Sequence, residues 1–127
     1  MSDLRSFIFL DQLQPQTLAY VASWMRGVLP RRNMAAQIIE VAPGLDIEGL
    51  TDVALKGANV SVGLLVVERQ FGYLEFHSSA TAEVKVGAQA VLDAIGAREE
   101  DASAPQILGS KVVTRVDHQH AFLINRN

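Results

Sequence analysis

Val60-Ser61-Val62-Gly63-Leu64-Leu65-Val66-Val67-Glu68-Arg69-Gln70-Phe71-Gly72-Tyr73-Leu74-Glu75-Phe76 is the stretch on which the fold turns. Val60 to Glu68 is mostly apolar, the pattern expected of a strand covered by helices on one face. A short connection containing a glycine, Arg69 to Gly72, is followed by a second extended run from Tyr73 to Phe76. The segment therefore reads as a β-hairpin.

Working outward toward the carboxyl end, Ser79 or Thr81 is the expected cap of a helix. Val84, Ala88, Val91 and Ile95 fall on one face of it and Gly96 ends it. Toward the amino end, Ala36 to Val41 reads as a strand ended by Pro43-Gly44. A helix follows, with Asp46 as expected cap, Glu48 in its first turn and an apolar face of Ile47, Leu50, Val53, Ala54 and Leu55. Gly57 to Asn59 weaken its end. Further out, Leu4 to Leu10 reads as a strand, and Gln14-Pro15 opens a helix whose Leu18, Val21, Ala22 and Met25 share a face. Gly27 and Pro30 stop it. At the far end, Arg98 to Pro105 reads as a solvated, mobile linker, followed by strand character at Lys111 to Val116 and at Ala121 to Ile124.

The order strand–helix–strand–helix–strand–strand–helix–strand predicts an α+β fold, with helices packed on one face of a mainly antiparallel sheet. The 127 residues fit a single domain over 1–127. It divides into a strand and helix at 4–27, a core block at 36–97, a linker at 98–106 and a tail at 107–127.

The formal net charge is −3, and the densest cationic patch, Arg26, Arg31 and Arg32, lacks interleaved aromatics, so a nucleic-acid partner is not expected. The chain has no cysteine, which excludes disulfides, thiolate metal sites and thiol nucleophiles. Phe7-Ile8-Phe9-Leu10 is too short for a signal core and Val62 to Val67 is too short to span a bilayer. The expectation is a soluble cytoplasmic protein without a membrane partner.

Catalytic machinery is hard to find. His118 and His120, spaced i, i+2, would share a face of a strand, but no third metal ligand accompanies them. No serine sits in a nucleophile elbow, and the glycines form no phosphate loop. Glu99, Glu100 and Asp101 are adjacent in the linker and read as a solvated charge run. No catalytic residue, metal or cofactor is expected from these residues. An enzyme using Glu68, Glu75 and His77 would need those side chains to converge with at least one shifted pKa.

The middle of the chain resembles the bacterial-microcompartment shell domain. Asp52-Val53-Ala54-Leu55-Lys56-Gly57-Ala58-Asn59-Val60 is one glycine away from the family's Ala-x-Lys-Ala-Ala-Asn-Val helix end. The hairpin follows in the family's order. Ala82-Glu83-Val84-Lys85-Val86-Gly87-Ala88-Gln89-Ala90 then matches its Ala-Glu-Val-Lys-x-Gly-x-x-Ala helix. The family's final strand and helix are similar to the segment that here comes first, Arg5 to Arg26, so the resemblance is to the circularly permuted branch.

The resemblance implies a structural shell protein rather than an enzyme. Copies would form a cyclic homo-oligomer, a hexamer first and a pentamer second, beside other shell proteins and encapsulated enzymes. It implies pore-lining roles for Arg69, Gln70, Phe71 and Gly72, and an oligomer edge at Asp52, Lys56, Asn59 and Gln14. Gln14 stands where the family often has an arginine. The longer tail would cap a face of the oligomer or pair with a neighbour. The competing expectation is a small oligomeric regulatory or ligand-binding α+β module.

Overall fold

The computed structural model describes residues 2–125. Four strands, β1 (Asp3–Leu10), β2 (Ala35–Ala42), β3 (Ser61–Val67) and β4 (Gly72–Ser78), form one antiparallel sheet in the order β1-β2-β4-β3. The helices are α1 (Pro15–Ala22), α2 (Asp46–Gly57), α3 (Thr81–Ile95) and α4 (His118–Asn125). The expected α+β class, sheet and hairpin are all present.

Cross-strand partners share a face, so the register sorts the side chains into two sets. Phe7, Ile39, Leu74 and Leu65 form one row. On that face Ile39, Val41, Leu74 and Phe76 are buried against Ile47, Leu50 and Ala54 of α2 and Val84, Ala88 and Val91 of α3. Ile8, Ile38, Glu75 and Leu64 form the matching row on the opposite face. The one-face expectation holds for α2 and α3. The short α1, none of whose residues is fully buried, lies instead over the second face, where Tyr20 and Val21 border a cavity with Ile38, Leu64 and Glu75.

Two glycines permit close packing on the two faces of the sheet, Gly63 under the chain after α1 and Gly87 under α3. Gly63 is the extra residue of a bulge between Val62 and Leu64. Its carbonyl accepts hydrogen bonds from the amides of Arg26 and Gly27 at 2.9 and 2.8 Å. A side chain on Gly63 would strike Met25 Sδ and lie 3.0 Å from Glu75 Oε2. Gly87, inside α3, faces the Phe76 ring, with 3.1 Å between its would-be Cβ and Cε1. A helical glycine costs about 1 kcal/mol relative to alanine. Here it admits the ring of a fully buried phenylalanine.

The helix ends depart from the cap readings. Leu45, not Asp46, is the N-cap of α2, and Asp46 is its first residue, with its carboxylate accepting a 2.6 Å bond from Ser2 Oγ. Ala80 is the N-cap of α3 in place of Ser79 or Thr81. Gly96 does end α3, in the left-handed conformation at φ 65°. Glu99–Asp101 is not a loose linker but a 3-10 turn. Just beyond it the Ser103 amide bonds to the Arg5 carbonyl at 3.0 Å, tying the segment to β1.

The tail corrects the sequence reading most. Lys111 to Val116 has no strand partner, and Ala121 to Ile124 lies within α4 rather than in a strand. β-branched residues satisfy a strand pattern, but a strand exists only when a neighbour takes its backbone hydrogen bonds. Ile107 and Leu108 are 89% and 92% exposed, so no sheet of this domain reaches them. The tail also repeats the geometry of the amino terminus. Gln12 (φ 50°) stands three residues before the eight-residue α1, and Arg115 (φ 46°) three residues before the eight-residue α4.

Candidate functional site

The β3–β4 connection is a tight loop closed by the Glu68 amide donating to the Phe71 carbonyl at 2.9 Å. Arg69, Gln70 and Phe71 are exposed at its tip, whereas Gly72 is buried at its base. The loop is seated on the turn that follows β2. A Cβ on Gly72 would land on the Gly44 carbonyl oxygen and 2.5 Å from Ile47 Cγ2. A Cβ on Gly44 would in turn land on the Glu68 carbonyl and 2.5 Å from that of Phe71. Two glycine backbones thus interlock, and the loop projects from a rigid base. The role of Gly44 was not visible in the sequence, where Pro43-Gly44 reads only as a turn.

The edge candidates lie elsewhere. Lys56 Nζ stands 2.8 Å from Asp52 Oδ2, one helical turn away, with the two side chains 77% and 59% exposed. Such a pair contributes about 0.3–0.5 kcal/mol within a helix and leaves the lysine free to exchange partners. Asn59 is exposed beyond the end of α2, and its amide donates to Glu83 Oε1 at 2.7 Å, linking α2 to α3. Gln14, the exposed N-cap of α1, donates from Nε2 to the Gln12 carbonyl at 3.0 Å.

The three side chains of the enzyme reading do not assemble. Glu68 is exposed at the hairpin loop, while Glu75 and His77 are both 1% exposed on the second face of β4. Their i, i+2 spacing on the strand brings them together, with His77 Nδ1 2.5 and 3.0 Å from the two carboxylate oxygens. Burial pushes the Glu75 carboxyl up from its ordinary range, and the bond to His77 and its charge pull partly back. Tyr73 is also raised, first by burial and then by the charges of Glu40 and Glu75 and by Tyr20.

The shift of Glu75 sets a sign for stability. The native state holds this proton more tightly than the unfolded chain, so Glu75 favours folding at low pH. That contribution fades as pH rises from about 4.5 through the native pKa. Urea midpoints measured across that window should fall with pH, and Glu75→Gln should flatten the slope.

Among the described residues no three metal-binding side chains cluster. His118 and His120 open α4 rather than sharing a strand face. Among the described residues no helix is long and apolar enough to cross a membrane.

Comparison with known proteins places this geometry. Residues 4–101 match the family described as the CsoS1D N-terminal domain. The carboxysome shell protein CcmP of Synechococcus elongatus is 39% identical over 124 residues, covering 98% of this chain and 58% of that protein. The carboxysome shell protein CsoS1D of Hydrogenovibrio crunogenus is 38% identical over 127 residues, covering 100% of this chain and 62% of its own length. Among solved structures, the fused permuted hexameric shell protein MSM0275 from the RMM microcompartment superposes with a TM-score of 0.84 at 64% identity, over 98% of this chain and 61% of that one. The double ringed trimeric shell protein MSM0271 from the same microcompartment gives 0.83 at 38% identity, over 99% and 60%. The chain thus spans about three fifths of the length of these relatives. With the permuted strand–helix pair ahead of the α2–hairpin–α3 block, and a family match over most of its length, this chain belongs to the bacterial-microcompartment shell-protein family, in its circularly permuted branch.

Proposed function

We propose that this domain is a structural tile of a microcompartment shell, closing with copies of itself into a ring of six around an axis. The supporting observation is the hairpin loop, with Arg69, Gln70 and Phe71 projecting from the interlocked Gly44–Gly72 base. Rotational symmetry would turn one arginine per domain into a ring of positive charge that favours anionic metabolites. Asp52, Lys56, Asn59 and Gln14 form the edge of the ring, where one ring meets the next. The exposed apolar tail packs against a neighbouring domain, and other shell proteins and the enclosed enzymes are the further partners.

Native mass spectrometry tests the tile directly. A closed ring, growing into sheets at higher concentration, is the expected result, and a stable monomer overturns the proposal. Lys56→Ala should leave the ring mass unchanged and suppress the sheets, read by light scattering against concentration. Arg69→Ala should also keep the ring. It should weaken binding of citrate, a trianion probe for the axis, by about tenfold or more in calorimetry. Unchanged citrate binding would remove Arg69 from the pore.

A further inference from the structure

Helix α1 stands off the sheet. It packs closely against no strand, and none of its residues is fully buried. Both of its ends are nevertheless pinned. Before it, the Leu13 amide donates to the Met34 carbonyl at 2.8 Å, and the Leu13 carbonyl accepts from the Asn33 amide at 3.0 Å. After it, the Arg26 and Gly27 amides share the Gly63 carbonyl, and the Val28 amide donates to that of Val62 at 3.0 Å. The helix therefore cannot settle onto the second face without breaking an anchor. A cavity of about 220 Å³ stays open beneath it.

Val21 and Trp24 wall the cavity from the side of α1 and the chain after it, and Leu64, Tyr73 and Glu75 from the sheet. Every lining side chain except Glu75 is aliphatic, aromatic or a thioether, and no lysine or arginine is among them. Glu75 itself is engaged, since both its oxygens face His77 Nδ1, at 2.5 and 3.0 Å. Whichever of the two holds the proton, the bond ties them to each other rather than to the cavity. Burial is the first cause that moves both Glu75 and Tyr73 upward, toward their uncharged forms. The surroundings thus penalise charge, on the protein's own groups and equally on anything that enters.

We infer that this cavity is a binding site for a small uncharged apolar molecule, one ring in size, held between α1 and the sheet. Apolar surface removed from water on both partners supplies the affinity. An apolar cavity of about 150 Å³ holds benzene, so this one accommodates a ring with a short substituent. Tyr20 and Trp24 meet edge to face at 4.8 Å between centroids, and Tyr73 lies across from them. These three rings favour an aromatic ligand over an open chain, because aromatic pairs add edge and face contacts to plain burial. A ligand here also gives α1 the packing that the sheet alone does not supply.

Trp24 is the only tryptophan in the chain, so its fluorescence reports on this site. Toluene is the probe, with benzylammonium and benzoate as charged counterparts of the same ring, each titrated into the full chain with fluorescence and calorimetry. Toluene should saturate at one per chain and bind at least about tenfold more tightly than either ion. Val21→Phe, a change on a helix without fully buried residues, puts a ring of the protein's own into the cavity. It should abolish toluene binding and leave the urea midpoint unchanged or raised. Equal or tighter binding of either ion, a silent Trp24, or undiminished binding in Val21→Phe would each overturn the site. Should Val21→Phe not fold, the unaltered protein decides, because a saturable site requires its urea midpoint to rise with toluene concentration, and no rise refutes the site. Binding seen in dilute protomers and lost on ring formation would show that a neighbouring copy fills the cavity, which also overturns it. Toluene binding itself needs no ring, so loss of the shell role and loss of this site are separately visible.

Discussion

Phe76→Ala should lower stability by about 3–5 kcal/mol, the range for removing a fully buried aromatic ring. Phe76 is 0% exposed and occupies the centre of the α2–α3 face, with Val62 and Gln37 as its cross-strand neighbours and Gly87 beneath the ring. The hole cannot close easily, because the sheet register fixes one side and the α3 backbone at Gly87 the other. A domain of this size has on the order of 6–19 kcal/mol in total, so the loss is a large fraction. Urea denaturation at fixed protomer concentration, necessary because assembly adds its own stability, should show the midpoint falling with little change in slope. A loss below about 1 kcal/mol would mean that the helices collapse onto the cavity, and that the packing around Gly87 is looser than the structure implies.

The sequence carried the central block well for a physical reason. The alternation Leu74, Phe76 against Glu75, His77 is a period-2 signal with one face buried under helices, and the helical runs of α2 and α3 answer it with apolar residues at matching spacing. The hairpin and the packing of α2 and α3 on one face follow from that agreement between local pattern and packing, whereas the strand order came only with the structure. The tail failed for the converse reason. Val112 and Val113 have strand propensity, yet they are exposed and have no partner, and propensity without a neighbour does not make a strand.

The candidate sites divide along the same line. The exposed place of Arg69, Gln70 and Phe71 was legible because a hairpin tip is a local feature, while their pore role came only from the family resemblance. The Lys56–Asp52 bridge was visible in the i, i+4 spacing on α2. The cavity over Glu75 was not, since it needs α1 to fold back across the sheet, and the only trace of that is a bulge glycine, Gly63, where Met25 and Glu75 meet. The Glu75–His77 pairing was within reach from the i, i+2 spacing alone, but its burial was not.

Gly72→Ala should displace the hairpin loop and cost about 1–3 kcal/mol or more, the range for forcing volume into a closed contact. The added methyl meets the Gly44 carbonyl oxygen and Ile47, both on the turn and first residues leading into α2. Neither is the far end of a flexible chain, so the hairpin, the turn or both must move. The same substitution at Gly49 meets nothing within 4 Å on the exposed side of α2. There it should stabilise by about 0.5–1 kcal/mol, because alanine gives up less backbone freedom in a helix. The pair separates a general effect of glycine replacement from the interlock itself. The consequence for assembly is larger than the energy suggests. In the proposed ring of six, a loop moved by even an ångström in each copy would converge badly on the shared axis, so Gly72→Ala should reduce the ring fraction in native mass spectrometry while circular dichroism still reports a folded domain. If the ring forms undiminished and citrate still binds it, the loop tolerates displacement, and the Gly44–Gly72 contact serves the fold of the single domain rather than the geometry of the pore.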